Sequence, residues 1–173
     1  MSNPLVGVIM GSDSDLDIMS EAAKILEELG VAVDVQVISA HRTPDKMAEY
    51  GMSAESRGVE VIIAGAGGSA HLPGMTASYT NLPVIAVPIK RENHGDESIK
   101  SSRAMPPGIP LAVMPNNGAR NAGLYAAAIL ALKYPEIAKK YAAFRTKLHD
   151  DILAKNQTLQ DVGWEQYLNG VLD

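Results

Sequence analysis

The sequence predicts an α/β fold in which a parallel sheet is covered by helices on both faces, and three observations carry that expectation. Short apolar runs alternate with longer stretches of helical periodicity from residue 5 to residue 114. Several of those runs are apolar without a break, as strands buried on both faces are. The later runs are separated by roughly a dozen residues or more, the length a parallel crossover needs.

Each element can be justified in turn. Leu5, Val6, Gly7, Val8, Ile9 and Met10 make the first strand. Over 14–29, Leu16, Met19, Ala22 or Ala23, Leu26 and Leu29 recur at helical spacing, and Gly30 takes the C′ position that ends the helix. Residues 31–38 alternate through Val33, Val35 and Val37 as a second strand. Pro44 then fits the first turn of a helix behind a Thr43 cap, and that helix stops near Gly58. The runs 59–64, 84–87 and 109–114 read as strands three to five. Residues 118–132 are mostly Ala and Gly with Leu124, Ile129, Leu130 and Leu132, a helix of little bulk that lies close against its neighbours. Over 135–153, Ile137, Tyr141, Phe144, Leu148 and Ile152 form the apolar stripe of an amphipathic helix. The expected organisation is one α/β domain over 1–155, these late helices included, and a tail over 156–173. Trp164, Tyr167 and Leu168 are too few to build a core there, so the tail is expected to pack on a neighbouring subunit.

Composition narrows the function classes. A chain of 173 residues, 46% hydrophobic, supports one domain with a real core. Fifteen Lys and Arg against twenty Asp and Glu give a net charge of −5, without the dense basic patch that tracks a phosphate backbone, so nucleic acid is not an expected partner. There is no cysteine, hence no disulfide and no thiolate metal site. No apolar run approaches the roughly 18 residues of a membrane helix, and the strand pattern starts at once without a signal-type segment. A cytoplasmic protein with no membrane partner is the expectation.

Three strand-like runs lead into loops of glycine, serine and histidine: Gly11-Ser12-Asp13-Ser14-Asp15, Ser39-Ala40-His41-Arg42-Thr43-Pro44, and Gly65-Ala66-Gly67-Gly68-Ser69-Ala70-His71-Leu72-Pro73-Gly74. In an open parallel sheet such loops share the carboxyl edge and converge on one crevice, where backbone N–H groups can meet an anion. The first loop is neither the G-x-G-x-x-G dinucleotide fingerprint nor a nucleotide P-loop. Its Ser12 and Ser14 either cap a helix or take a phosphate, and Asp15, which would repel phosphate, accepts from sugar hydroxyls. In the second loop, imidazole titrates near neutrality and guanidinium forks onto phosphate, so His41 and Arg42 can join proton transfer to anchoring of an anion. A lone loop histidine is otherwise structural. In the third, Gly65, Gly67 and Gly68 let the backbone approach a ligand, unless they form a tight structural turn, and His71 opens the next helix. The candidate catalytic residues are His41 and His71. The candidate binding residues are Gly11, Ser12, Ser14, Asp15, Ser39, Arg42, Ala66, Gly67, Gly68, Ser69 and Leu72.

Together with Met105-Pro106-Pro107-Gly108-Ile109-Pro110, these motifs resemble the 5-(carboxyamino)imidazole ribonucleotide mutase family of purine biosynthesis, in the family's order and across most of residues 5–132. The resemblance implies a flavodoxin-like three-layer αβα sandwich, assembled as a homo-octamer with active sites shared among subunits. It implies that Ser12, Asp15 and Arg42 bind the ribonucleotide, that His41 transfers the proton, and that the 66–72 loop closes over the reacting carboxylate. Carbon dioxide is then an intermediate partner, and no metal or organic cofactor is required.

Two stretches depart from the family's pattern. Lys90-Arg91-Glu92-Asn93-His94-Gly95 stands where a small, apolar sequence is usual, and Pro115-Asn116-Asn117-Gly118-Ala119-Arg120-Asn121 replaces a glycine- and alanine-rich run. The charged stretch is either a solvated loop or an altered ligand pocket. Ser101-Ser102-Arg103 is closer to the related carboxylases that use free carbon dioxide. Such a carboxylase, a paralogue acting on another nucleotide, and a non-catalytic nucleotide-binding module remain the alternatives. His149 is expected to face solvent.

Overall fold

Five parallel strands in the order β2-β1-β3-β4-β5 form the sheet: β1 (Val6–Met10), β2 (Val33–Val37), β3 (Val61–Gly67), β4 (Val84–Ile89) and β5 (Ala112–Val113). The structure, a computed structural model, describes residues 4–91 and 96–171. Val8 of β1 stands opposite Val35 on one side and Ile63 on the other, so β1 lies between the strands that follow it first and second in the chain. The order reverses between β1 and β3. In open α/β sheets that switch point opens the crevice where ligands bind, beyond the carboxyl ends of the strands.

Side-chain alternation fills the two faces. Val6, Val8 and Met10 of β1 and Val61 and Ile63 of β3 pack with Met19, Ile25 and Leu26 of α1 (Leu16–Glu28) and with Leu130 of α5 (Ala119–Leu130). Ile9, Ile62 and Ala64 point the other way. They meet Met47 and Tyr50 of α2 (Pro44–Ser53) and Leu72 of α3 (His71–Ala77). The helix α4 (Glu97–Arg103) follows β4, and the chain closes with α6 (Pro135–Val162) and α7 (Trp164–Val171). The expected sandwich of helix, parallel sheet and helix is what the chain forms. α5 lies close to α1, as its small residues require: a Cβ at Gly123 would stand 2.9 Å from the Ala22 carbonyl.

Local readings are corrected at several points. Leu16 is exposed, because Asp13–Asp15 forms a 3-10 turn that rotates the start of α1 and leaves Met19, Ala22, Ile25 and Leu26 as its buried face. Thr43 holds the N-cap position of α2 but makes no side-chain cap bond. Its hydroxyl instead donates to the Ser39 carbonyl at 3.1 Å and accepts the Ser39 N–H at 3.0 Å, closing the loop on itself. β3 runs on through Gly65, Ala66 and Gly67, so part of the third glycine motif is strand. Gly65 serves packing there, since a Cβ would collide with the Met19 side chain. β5 is two residues rather than six; Gly108 has φ +98° and Pro110 offers no N–H for a ladder. The long helix runs past Leu153 to Val162, and of its side chains only Ile137 is fully buried.

Candidate active site

The carboxyl ends of β1, β2, β3 and β4 enclose an open crevice of about 510 Å³, within the range of small-molecule sites. Every candidate catalytic and binding residue of the three loops lines it: Gly11, Ser12, Ser14 and Asp15 after β1, Ser39, His41 and Arg42 after β2, and Ala66, Gly67, Gly68, Ser69, His71 and Leu72 at the end of β3 and the start of α3. The strands bring the loops within bonding distance of one another. The Gly11 N–H donates to the Gly65 carbonyl at 3.2 Å.

In the first loop, Ser12 caps the 3-10 turn, its hydroxyl accepting the Ser14 N–H at 3.4 Å, and the Ser14 hydroxyl donates to it at 3.0 Å. Both hydroxyls stay at the surface of the crevice. Asp15 is buried, with 8% of the residue exposed. Burial pushes its carboxyl above the usual carboxylate range, and the Arg91 guanidinium, 3.8 Å away, is the strongest influence in the opposite direction.

Arg42 ties the second loop to the first. It donates through Nη2 to the Gly11 carbonyl at 2.7 Å and through Nε to the Ser39 hydroxyl at 3.3 Å, leaving further guanidinium N–H groups for an anion. The loop is also anchored from behind. Asp34 of β2 accepts from Gln36 at 2.9 Å, from Arg57 at 2.8 Å and from the Tyr50 hydroxyl at 3.1 Å, which fixes α2 on the strand that precedes His41.

His41 Nε2 and His71 Nδ1 are 2.9 Å apart, thirty residues distant in sequence. One of the two facing nitrogens must donate and the other accept, so a single proton lies between the rings. Gly68, with φ +58°, turns the chain out of β3 toward His71, a conformation that glycine adopts freely. The Ser101 hydroxyl of α4 accepts the Ala70 N–H at 2.9 Å, one residue before the imidazole.

Among the described residues, no group of three or more His, Asp or Glu side chains stands at metal-holding distance. Also among them, no helix is long and apolar enough to cross a membrane. His94 lies outside the described residues, and His149 is exposed beside Asp150. Arg91 and Ile89 complete the crevice wall. The sequence reading missed Arg91 as a site residue because its charged setting resembles a solvated loop.

Residues 5–151 match the family model described as AIR carboxylase. The N5-carboxyaminoimidazole ribonucleotide mutase of Thermotoga maritima is 54% identical over 167 residues, 96% of this chain and 98% of that protein. The mutase of the same name from Aquifex aeolicus is 60% identical over 138 residues, 79% of this chain and 83% of its own length. Among solved structures, the crystal structure of Treponema denticola PurE is similar with a TM-score of 0.83 at 29% identity, over 90% of this chain and 98% of that one.

Proposed function

This chain belongs to the AIR carboxylase family, and we propose that its crevice converts N5-carboxyaminoimidazole ribonucleotide into 4-carboxy-5-aminoimidazole ribonucleotide, a step of purine biosynthesis. The observation that carries this reading is the His41–His71 contact at 2.9 Å, inside a hollow that also holds the serines, Asp15 and Arg42.

The chemistry asks for confinement and one mobile proton. Transfer of the carboxylate from the exocyclic nitrogen to carbon 4 moves one proton the other way. The nitrogen gains it as carbon dioxide leaves, and carbon 4 gives one up after attacking that carbon dioxide. An imidazole that lends a proton in the first half and takes one back in the second ends as it began. His41 performs this exchange in our reading, with His71 as the partner that holds it and shares its proton. The glycine backbone at 67–68 and the buried Leu72 border the space where carbon dioxide must wait, so that recapture outruns escape. Ser12, Ser14, Ser39 and Arg42 take the phosphate, and Asp15 accepts from the ribose hydroxyls.

The exposed apolar residues of the last two helices support the assembly reading. Leu148, Ile152, Trp164 and Leu168 expose 51%, 63%, 68% and 51% of their surface along α6 and α7. Such a stripe seeks another surface, and we assign it to neighbouring subunits of a homo-octamer working in the cytoplasm. The free carbon dioxide carboxylase suggested by the 101–103 segment is not favoured. Assay of the purified protein with the N-carboxylated substrate, and separately with aminoimidazole ribonucleotide plus bicarbonate, tests the assignment. Turnover of the first is expected; turnover of the second alone contradicts it.

A further inference from the structure

Arg91, just after β4, is partly exposed but is engaged by the segment that follows β1. It reaches back across 74 residues of sequence to the first loop and the first turn of α1, with Nη1 2.9 Å from Oδ2 of Asp17, and Nη2 2.8 Å from Oδ1 of Asp17 and also bonded to the Ser14 carbonyl. Its partners are all acceptors of the segment that carries Ser12, Ser14 and Asp15. The guanidinium also stands 3.8 Å from Asp15 and lines the crevice itself.

Its placement is built rather than incidental. Asn117, at φ +59°, donates its backbone N–H to the Pro88 carbonyl at 2.9 Å. Its side-chain amide then accepts the Lys90 N–H at 2.8 Å and donates to the Lys90 carbonyl at 3.0 Å. Asn117 thus brackets Lys90 as a neighbouring strand would, carrying the pairing of β4 beyond the two residues of β5 and aiming the next side chain at the crevice. Lys90 and Arg91 of one departure from the family's pattern and Asn117 of the other meet in this one device.

We infer that Arg91 is a positioning and specificity-determining residue of the nucleotide site, holding the 12–15 turn so that Asp15 accepts from the ribose hydroxyls of the substrate. The inference rests on the functional reading above. An exposed ion pair to Asp17 adds little to folding, so its effect falls on the loop it orients. The guanidinium's engaged donors face protein acceptors, and its influence on the ligand passes through Asp15. Burial works to neutralise that carboxyl, and Arg91 opposes it most strongly.

Steady-state kinetics of wild type and Arg91→Met with the N-carboxylated substrate test this, joined to competition by ribose 5-phosphate and 2-deoxyribose 5-phosphate. The expected result is a KM raised about tenfold with kcat within about twofold, the scale of a lost charge-assisted contact. The preference for the ribose sugar over its deoxy form should shrink toward one. Arg91→Lys should restore KM only in part, because an ammonium cannot fork onto Asp17 and Ser14 together. Should Arg91→Met fail to fold, Asp17→Asn decides, with a smaller rise in KM and the same loss of sugar preference expected. A wild-type KM and sugar preference in the folded variants overturns the role of Arg91 while leaving the mutase assignment standing. A wild-type protein that does not turn over the substrate overturns that assignment and this inference with it.

Discussion

Two carboxylates drawn back from solvent, Asp15 in the turn after β1 and Asp34 within β2, have been given opposite surroundings. Asp34 is answered within the fold. Burial works to raise its pKa, but hydrogen bonds from Gln36, Arg57 and Tyr50 outweigh it and hold the group below the usual value. Asp15 is buried with less support, and its pKa is raised. The contrast separates a carboxylate satisfied by its own chain, which stabilises structure, from one at the crevice whose burial its own chain offsets less.

The largest expected effect concerns chemistry without cost to the fold. His41 is exposed, so His41→Asn should lower turnover roughly 10²-fold or more, the scale of a lost general acid or base, while the thermal midpoint stays put. Unchanged kinetics would remove His41 from its role. Next comes Arg42→Ala, which should weaken substrate binding by about 1.5–3 kcal/mol and leave kcat far less affected. A normal Michaelis constant would argue against a phosphate contact.

Asp34→Ala strands the Tyr50 hydroxyl and Arg57, and denaturant unfolding should register a loss of about 1–3 kcal/mol. The pH dependence has a definite sign. With its folded pKa below the ordinary 3.8, Asp34 contributes stability that is present above that value and lost as pH falls through the folded one. The variant should therefore show a flatter acid limb. Asp15 works the other way: its raised pKa means that stability is lost as pH rises from 3.8 through the folded value. Asp15→Asn should make the protein slightly more stable at neutral pH and a poorer binder of nucleotide. If both substitutions destabilise alike, the distinction between the two carboxylates fails.

Much of this was legible in the sequence, and the particulars show why. The three loops could be read because each follows an apolar strand and each strand of a parallel sheet ends on the same edge. Gly30 and Pro44 marked a helix end and a helix start through backbone constraints that act locally. What could not be read depends on partners far away in the chain. Whether the charge at Arg91 was solvated or part of a ligand pocket stayed open because its acceptors, the Ser14 carbonyl and Asp17 at the start of α1, lie 74 to 77 positions earlier. Gly65 looked like a ligand-facing glycine until Met19 was seen against it. Thr43 carried the cap signature but spent its hydroxyl on Ser39. The helix α6 outran its apolar stripe because Ala154, Lys155, Gln157 and Leu159 favour helix without any burial to announce it.

The central claim, that one carboxylate is moved within the crevice without exchanging with solution, is tested most directly by labelling. Substrate carrying carbon-13 in its N-carboxyl group, turned over in unlabelled bicarbonate, should yield a product whose 4-carboxylate keeps the label. Product labelled no more than the surrounding bicarbonate would contradict the account, because the carbon dioxide would then have come from solution.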